Sequence, residues 1–306
     1  MLEGMYFWKD KNGAVSKLKL LLILILTLVL IGGGGAGGWY YFVTLPAQKA
    51  KEEAAARQQQ AAKKLKDDID SVNKFYSSSL EGADIDQAVV VLNELKKSDE
   101  RISIAPIDTR MFNCDTKNCR FEYKISPGAI WVLPHKIFWG KDYSPTMVIK
   151  KNKGSDKKKG DFSFDKIESR LNKNSLIEAY KHKKPLPLSS CSDVVSYLVT
   201  YNSMVKGVGK ESKAKKAGEI VIKTMPKTTV GELESQLSGK VKAYGLMTGK
   251  WELELKSDTS ALGIDDLTNL QILLYKQAYR DAFLVKKIES QDKGMKISGD
   301  LVCKKG

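Results

Sequence analysis

An uncharged stretch, Leu20–Val43, constrains this chain more than any other feature of its sequence. It starts with leucine and isoleucine, passes through a glycine-rich block and closes with the aromatic run Trp39-Tyr40-Tyr41-Phe42. As a helix it would be about 36 Å long, enough to cross a hydrocarbon core of about 30 Å. The aromatic residues lie where a membrane-interface belt is expected. The stretch therefore predicts one membrane-spanning helix, with boundaries at 18–45.

Two other interpretations of this stretch were weighed. A cleaved signal peptide also has a basic start and an apolar centre, and Ala36-Gly37-Gly38 supplies the small residues of a cleavage site. The apolar run resumes after that site, at 39–43, which favours retention of the segment. A buried core helix rarely stays uncharged over such a length.

The orientation follows from the cysteines rather than from the charges, because lysines flank the stretch on both sides. All four cysteines lie beyond it, and an even number suits an oxidising compartment. The expected location is the bacterial inner membrane, single-pass, with a cytoplasmic tail at 1–17 and the bulk of the chain in the periplasm.

The glycine block inside the stretch contains two overlapping pairs at helical spacing. Gly33 and Gly37 are four residues apart, and so are Gly34 and Gly38. Small residues at this spacing let two membrane helices approach closely. The pairs predict helix packing, with a flexible or kinked helix as the alternative.

Residues 46–80 are rich in alanine, glutamine, lysine and glutamate, which are strong helix formers. Four apolar residues recur at intervals of four, three and four, as in a coiled-coil seam. This predicted seam comprises Leu65, Ile69, Val72 and Tyr76. The segment is predicted to be a stalk helix or a short coiled coil.

Two α+β modules are predicted to follow, at 81–184 and 185–306. In the first, Cys119, Phe121, Tyr123 and Ile125 alternate with polar residues, which indicates a strand of a hairpin. The second contains a β-α-β-β-α-β order, typical of a ferredoxin-like domain. The predicted fold class is α+β: a single N-terminal transmembrane helix, a helical stalk, then two ferredoxin-like α/β modules.

The cysteines are predicted to form two disulfides. In the hairpin, Cys114 and Cys119 can lie opposite each other within bonding reach. Cys191 and Cys303 bracket the second module, and a bridge between them would close a long loop. Pairing of Cys114 with Cys191 or with Cys303 stays open at this point.

Signatures of catalysis and of cofactor binding are missing from the sequence, and its two histidines stand apart without metal-ligand spacing. The expectation is a protein that is not an enzyme and that uses no cofactor, no metal and no nucleic acid. The net charge of +15 suits an anionic partner or a merely solvated surface. Lysines cluster at Lys150–Lys159 and at Lys206–Lys216.

The order of tail, apolar helix, stalk and two α/β modules resembles the bitopic alignment proteins of type IV pilus and type II secretion machines, the PilN/PilO and GspL/GspM class. The Cys114-x4-Cys119 hairpin with the following Arg120-Phe121-Glu122-Tyr123 resembles a hairpin of PilO-type proteins from type IVb pilus systems. The motif covers about fifteen residues, whereas the likeness in architecture runs from Leu18 onward.

The resemblance implies a non-enzymatic scaffold that links cytoplasmic motor components to periplasmic ones. Its implied partners are the inner membrane, a second copy or a similar bitopic subunit, and other pilus or secretion machine proteins. Two alternatives are a membrane-tethered binder of cell wall or another anionic polymer, through the lysine clusters, and a core subunit of another secretion or conjugation system.

Overall fold

The fold is described from a computed structural model, for residues 17–102, 107–128, 135–147, 161–208, 218–256, 264–291 and 294–306. The chain divides into two compact units, Met1–Asp68 and Ile69–Gly306. The helices are α1 (Lys17–Trp39), α2 (Leu45–Ser79), α3 (Ile85–Ile102), α4 (Ser175–Lys181), α5 (Cys191–Val208), α6 (Gly231–Gln236) and α7 (Ile264–Tyr275). The strands are β1 (Ile107–Cys114), β2 (Asn118–Ile125), β3 (Lys136–Phe138), β4 (Lys141–Tyr143), β5 (Thr146–Met147), β6 (Phe162–Glu168), β7 (Ile220–Lys227), β8 (Leu246–Lys256), β9 (Phe283–Gln291) and β10 (Gly294–Lys304).

The described part of the first unit is entirely helical. A π-helical segment, Tyr40–Thr44, separates α1 from α2. The hydroxyl of Thr44 donates to the carbonyl of Tyr40 at 2.6 Å, which satisfies one backbone acceptor of this wide turn. The leucine and isoleucine side chains of α1 are largely exposed, as Leu20 at 47% and Ile31 at 74% show.

Among the helices that the structure describes, none combines enough length with enough apolar character to cross a bilayer. The prediction of a membrane-spanning helix at 18–45 is therefore wrong, and so is the single-pass inner-membrane location with a cytoplasmic N-terminus and a periplasmic bulk. The physical reason lies in the make-up of α1. Its continuous leucine- and isoleucine-rich part, 20–31, measures only about 18 Å as a helix, and the glycines that follow contribute no apolar side chains.

Eight strands, drawn from both predicted modules, form one antiparallel sheet in the order β5-β6-β2-β1-β9-β10-β8-β7, and β3 pairs with β4 in a separate hairpin. The prediction of two separate ferredoxin-like modules is corrected in this respect, because β1 pairs with β9. The predicted β-α-β-β-α-β order needs a turn between its second and third strands, which the sequence predicts at Thr248 and Gly249. This turn is wrong, since both residues lie inside the single strand β8. The second half thus runs α5-β7-α6-β8-α7-β9-β10.

Helices α3, α5 and α7 cover one face of this sheet, and their buried side chains form a single core with those of the strands. In β8 the buried Trp251 and Leu253 alternate with the more exposed Glu252 and Glu254. On the opposite face Glu252 forms an ion pair with Lys296 at 3.0 Å, whereas Leu284 and Val302 are buried but lie outside this core. Alternation of period two therefore sorts the two faces as the sequence predicts.

One glycine is required where β9 and β10 lose register. A side-chain carbon at Gly299 would lie 1.8 Å from the carbonyl oxygen of Leu284. The register of the two strands shifts between Ser298 and Gly299, which is the signature of a bulge. Only a residue without a side chain fits this close approach.

Candidate functional site

The predicted stalk seam does not lie on one exposed face. Leu65 and Ile69 are half-buried, whereas Val72 is 1% exposed and Tyr76 is fully buried. Val72 and Tyr76 belong to the second unit together with the sheet. They pack inside their own chain and are not available to a helix of another subunit. The prediction that these two residues form part of a coiled-coil surface is therefore wrong, because other parts of the same chain already cover their side chains.

Tyr76 is the centre of a buried cluster. Its hydroxyl donates to the carboxylate of Glu234 and accepts from the backbone N–H of Tyr244 at 2.9 Å. Its ring stacks on that of Tyr180, with centroids 5.2 Å apart, and meets the ring of Tyr244 edge-on at 5.4 Å. We call Tyr76, Tyr180, Tyr244 and Glu234 the anchor cluster, because it fixes the last turns of α2 to α4 and α6.

A second contact fixes the chain just beyond α2. The side chain of Asn174 accepts from the backbone N–H of Ile177 and so caps α4. Its amide nitrogen donates to the carbonyls of Leu80 and Gly82, both at 2.8 Å. One buried side chain thus satisfies three backbone groups and joins α4 to the segment between α2 and α3.

The electrostatics of the anchor cluster favour neutral phenols. Burial raises the pKa of Tyr76, and its hydrogen bond to Glu234 raises it further. Burial likewise raises the pKa of Tyr180 and of Tyr244. At neutral pH the Tyr76 hydroxyl therefore keeps its proton and donates it to Glu234. The cluster is suited to holding a helix in place, and it offers no ionised nucleophile.

Both cysteine pairs are joined in disulfides. Cys114 and Cys119 face each other in the β1–β2 register and are bonded. Cys191, at the start of α5, is bonded to Cys303 in β10. The pairings of Cys114 with Cys191 or Cys303 that the sequence left open are thereby excluded. The second bond closes a separation of 112 residues and ties the leading helix of the second half to its last strand.

The predicted packing glycines, Gly33, Gly34, Gly37 and Gly38, all lie in α1. Their contact with a second helix stays a prediction. The lysines at 150–159 lie outside the described residues, as do those from 210 to 216. The strands that flank these segments, β5 and β7, lie at opposite edges of the sheet.

A serine, a histidine and an aspartate meet on the β3–β4 hairpin. His135 Nδ1 lies 3.1 Å from Asp142 Oδ2 and 3.4 Å from Ser144 Oγ. In a catalytic triad the serine and the carboxylate contact different ring nitrogens, whereas here both contact Nδ1. All three residues are exposed. The arrangement lacks the geometry of nucleophilic activation.

Sequence reasoning missed Glu234, Tyr180 and Tyr244, which are distant from Tyr76 along the chain. The one available signal was the residue type of Tyr76 itself. A phenol hydroxyl at a coiled-coil seam position requires a hydrogen-bond partner when buried, which an apolar seam does not supply.

Comparison of this chain with family models, with curated proteins and with solved structures finds no match.

Proposed function

We propose that this chain is a non-enzymatic scaffold subunit of a type IV pilus or type II secretion assembly machine. It pairs with a second copy or a similar subunit through the exposed part of α2. The observation that carries the proposal is the division of α2 into two parts. Its last turns are anchored by Tyr76, whereas residues 46–64 are all exposed.

The exposed part of α2 is poor in stabilising contacts of its own. Among its described side chains, the ion pair of Arg57 with Glu53 spans 3.9 Å between highly exposed groups. Such surface pairs contribute about 0.5 kcal/mol or less. A helix in a protein draws most of its stability from packing against other parts of the structure, and a helix without such contacts is only marginally stable. The alanines Ala62 and Ala55, one and two heptad steps before Ile69, permit close packing of a second helix there.

The edges of the sheet are less suited to pairing. At one edge the side chain of Asn202 occupies the free backbone of Ile220, accepting from its N–H at 3.1 Å and donating to its carbonyl at 2.6 Å. Further along β7, two register shifts and Pro226 interrupt the edge. The described part of the opposite edge strand, β5, comprises two residues. Such features protect edges against strand addition, and they leave the helix as the better surface.

The test is site-specific photo-cross-linking in the cells that make the protein. A benzophenone amino acid replaces Ala62 on the predicted seam or, as the matched control, Gln60 on the other side of the helix. We expect position 62 to give covalent adducts and position 60 to give few. Mass spectrometry should identify the adduct as a second copy or as another subunit of a pilus or secretion machine. Equal labelling from both positions, or adducts with unrelated proteins only, would contradict the proposal.

A second candidate function is the binding of an anionic polymer. The segments 150–159 and 206–216 hold eleven lysines and two acidic residues, and so account for nine of the fifteen net positive charges. The strands β5 and β7 that flank them are separated by seven strand spacings, about 34 Å. One polymer would have to cross that distance to meet both segments. Binding of this kind weakens steeply with salt, whereas cross-linking from position 62 should change little.

A further inference from the structure

A cavity of about 420 Å³ lies between α3 and the turn that joins β3 to β4. Its size falls within the range of about 300 to 1,000 Å³ that is common for small-molecule sites. The residues that line it are Val90, Asn93, Glu94 and Lys97 from α3 and Ile137, Trp139 and Gly140 from the hairpin. The cavity is separate from the anchor cluster and shares no residue with it.

Glu94 is the most informative residue of this cavity. It is only 8% exposed, and its carboxylate makes no hydrogen bond and no ion pair with any residue that the structure describes. Lys97, one helical turn further on, also lines the cavity and forms no ion pair with it. A buried carboxylate without a partner is costly. Glu94 therefore has unused capacity for a cationic group.

Trp139 contributes an aromatic side chain to the lining of the cavity. Its indole N–H is buried and has no acceptor in the described part of the chain. The residue has a φ of 48°, followed by Gly140 at 81°. Two successive positive φ values are what a two-residue hairpin turn requires. The turn between β3 and β4 therefore fixes the indole ring beside the cavity.

The cavity thus combines an unpaired carboxylate, an ammonium group, an indole ring and an apolar rim. The rim consists of Val90, which is 40% exposed, and Ile137, which is 55% exposed. The charges of Glu94 and Lys97 cancel, so a ligand that is neutral overall but charged at both ends matches them best. A simple cation would meet Lys97 as a like charge, and a simple anion would meet Glu94.

We propose that this cavity binds a free α-amino acid with an apolar side chain. The α-ammonium group donates to the carboxylate of Glu94. The α-carboxylate accepts from the ammonium group of Lys97. The side chain packs on Val90 and Ile137. Charge-assisted hydrogen bonds of this kind are about twice as strong as neutral ones, and they orient a small ligand.

The test is a titration of the full chain with L-leucine, followed through the indole N–H resonance of Trp139, which Trp139→Phe assigns. We expect a saturable shift with a Kd below about 1 mM. Leucinamide lacks the carboxylate and N-acetyl-leucine lacks the cation, so each should bind at least about tenfold more weakly. The absence of a saturable shift, or equal binding of leucinamide, would overturn the proposal.

Two variants separate binding from folding. Glu94→Gln should weaken leucine binding by about tenfold or more while the melting temperature stays the same or rises, because an unpaired buried charge is removed. Lys97→Gln should weaken binding of leucine and strengthen binding of leucinamide, whose ammonium group no longer meets a like charge. Glu254→Gln, at an exposed carboxylate on β8, is the matched control and should bind as the wild type does. A fall in melting temperature with Glu94→Gln would assign that carboxylate a structural role and overturn the inference.

Discussion

The two halves of the eight-stranded sheet are built by different means. In the second half β8 and β10 are both eleven residues long and are paired along their whole length. The first half comprises β5, β6, β2 and β1, of which the longest have eight residues. Among the residues that the structure describes, the strands of the two halves pair at two positions, Asn113 with Glu289 and Cys114 with Ile288. Backbone pairing between strands is thus extensive in the second half and sparse at the junction between the two halves.

The first half compensates with aromatic side chains. The rings of Phe121 and Phe138 lie 4.6 Å apart, and those of Tyr123 and Phe162 lie 5.2 Å apart. Such pairs contribute about 0.5 to 1.5 kcal/mol each beyond the area that they bury. The difference shows that neighbouring strands of a continuous sheet need not all be paired over the same length, provided that side chains fill the core where the pairing is short.

The largest effect should come from the disulfide of the second half. Replacing Cys191 and Cys303 with alanine opens a separation of 112 residues. In the chain-entropy account this costs about 4.7 kcal/mol. Urea unfolding of the purified chain measures the loss. An equal decrease in unfolding free energy on opening the Cys114–Cys119 bond would contradict this prediction, because loop length would then not determine what each disulfide contributes.

The anchor cluster should give the next largest effect. Tyr76→Phe leaves the buried carboxylate of Glu234 without its donor and the N–H of Tyr244 without its acceptor. Two buried groups left unsatisfied should cost about 3 kcal/mol. Tyr180→Phe is the control, because that hydroxyl bonds to Asn73 at an exposed site. It should cost about 1 kcal/mol or less, and equal losses would deny Tyr76 its anchoring role.

The same residue predicts a dependence on alkaline pH. Because burial and Glu234 raise the pKa of Tyr76 in the folded chain, its contribution is fully present below the unfolded pKa of about 10. The contribution is lost progressively as pH rises above that value, since the unfolded chain releases the proton first. Unfolding free energies measured from pH 9 to pH 11 should fall more steeply for the wild type than for Tyr76→Phe. Parallel curves would contradict this assignment, since the other tyrosines are common to both proteins.

Opening the short disulfide of the first half should cost less. Replacing Cys114 and Cys119 with alanine removes a bond between residues only five apart. The same entropy account gives about 2 kcal/mol. Because Cys114 also pairs with Ile288 across the junction, amide exchange should accelerate in β1 before it does in β8. Acceleration in β8 alone would refute the idea that the junction is the weaker place.

The smallest effect should come from Ser290, which extends the junction by one side chain. Its hydroxyl accepts from the N–H of Phe112 at 2.9 Å and donates to the carbonyl of the same residue at 3.3 Å. Phe112 is the position that would come next in register. Ser290→Ala should therefore cost about 1 kcal/mol, whereas the exposed Ser203→Ala, in α5, should cost less. Unfolding midpoints in urea distinguish the two.

Local patterns in the sequence predict many of the secondary-structure elements of this protein. The apolar spacing from Ile85 to Leu95 and the capping residue Asp84 predict α3, and the carboxylate of Asp84 accepts from the N–H of Gln87 at 2.9 Å. Alternation from Trp251 to Leu255 predicts the two faces of β8. The spacing of Cys114 and Cys119 predicts a bridged hairpin, because both cysteines belong to one turn.

Tertiary structure alone decided which of these elements meet. Tyr76 has coiled-coil spacing, yet its hydroxyl bonds to Glu234 and Tyr244, more than a hundred residues away. The pairing of β1 with β9 likewise joins segments that no local pattern connects. An apolar or alternating period shows that a face will be buried, but any complementary face of the folded chain can cover it. That choice depends on the packing of the whole core, which is why the sequence predicts the elements better than their partners.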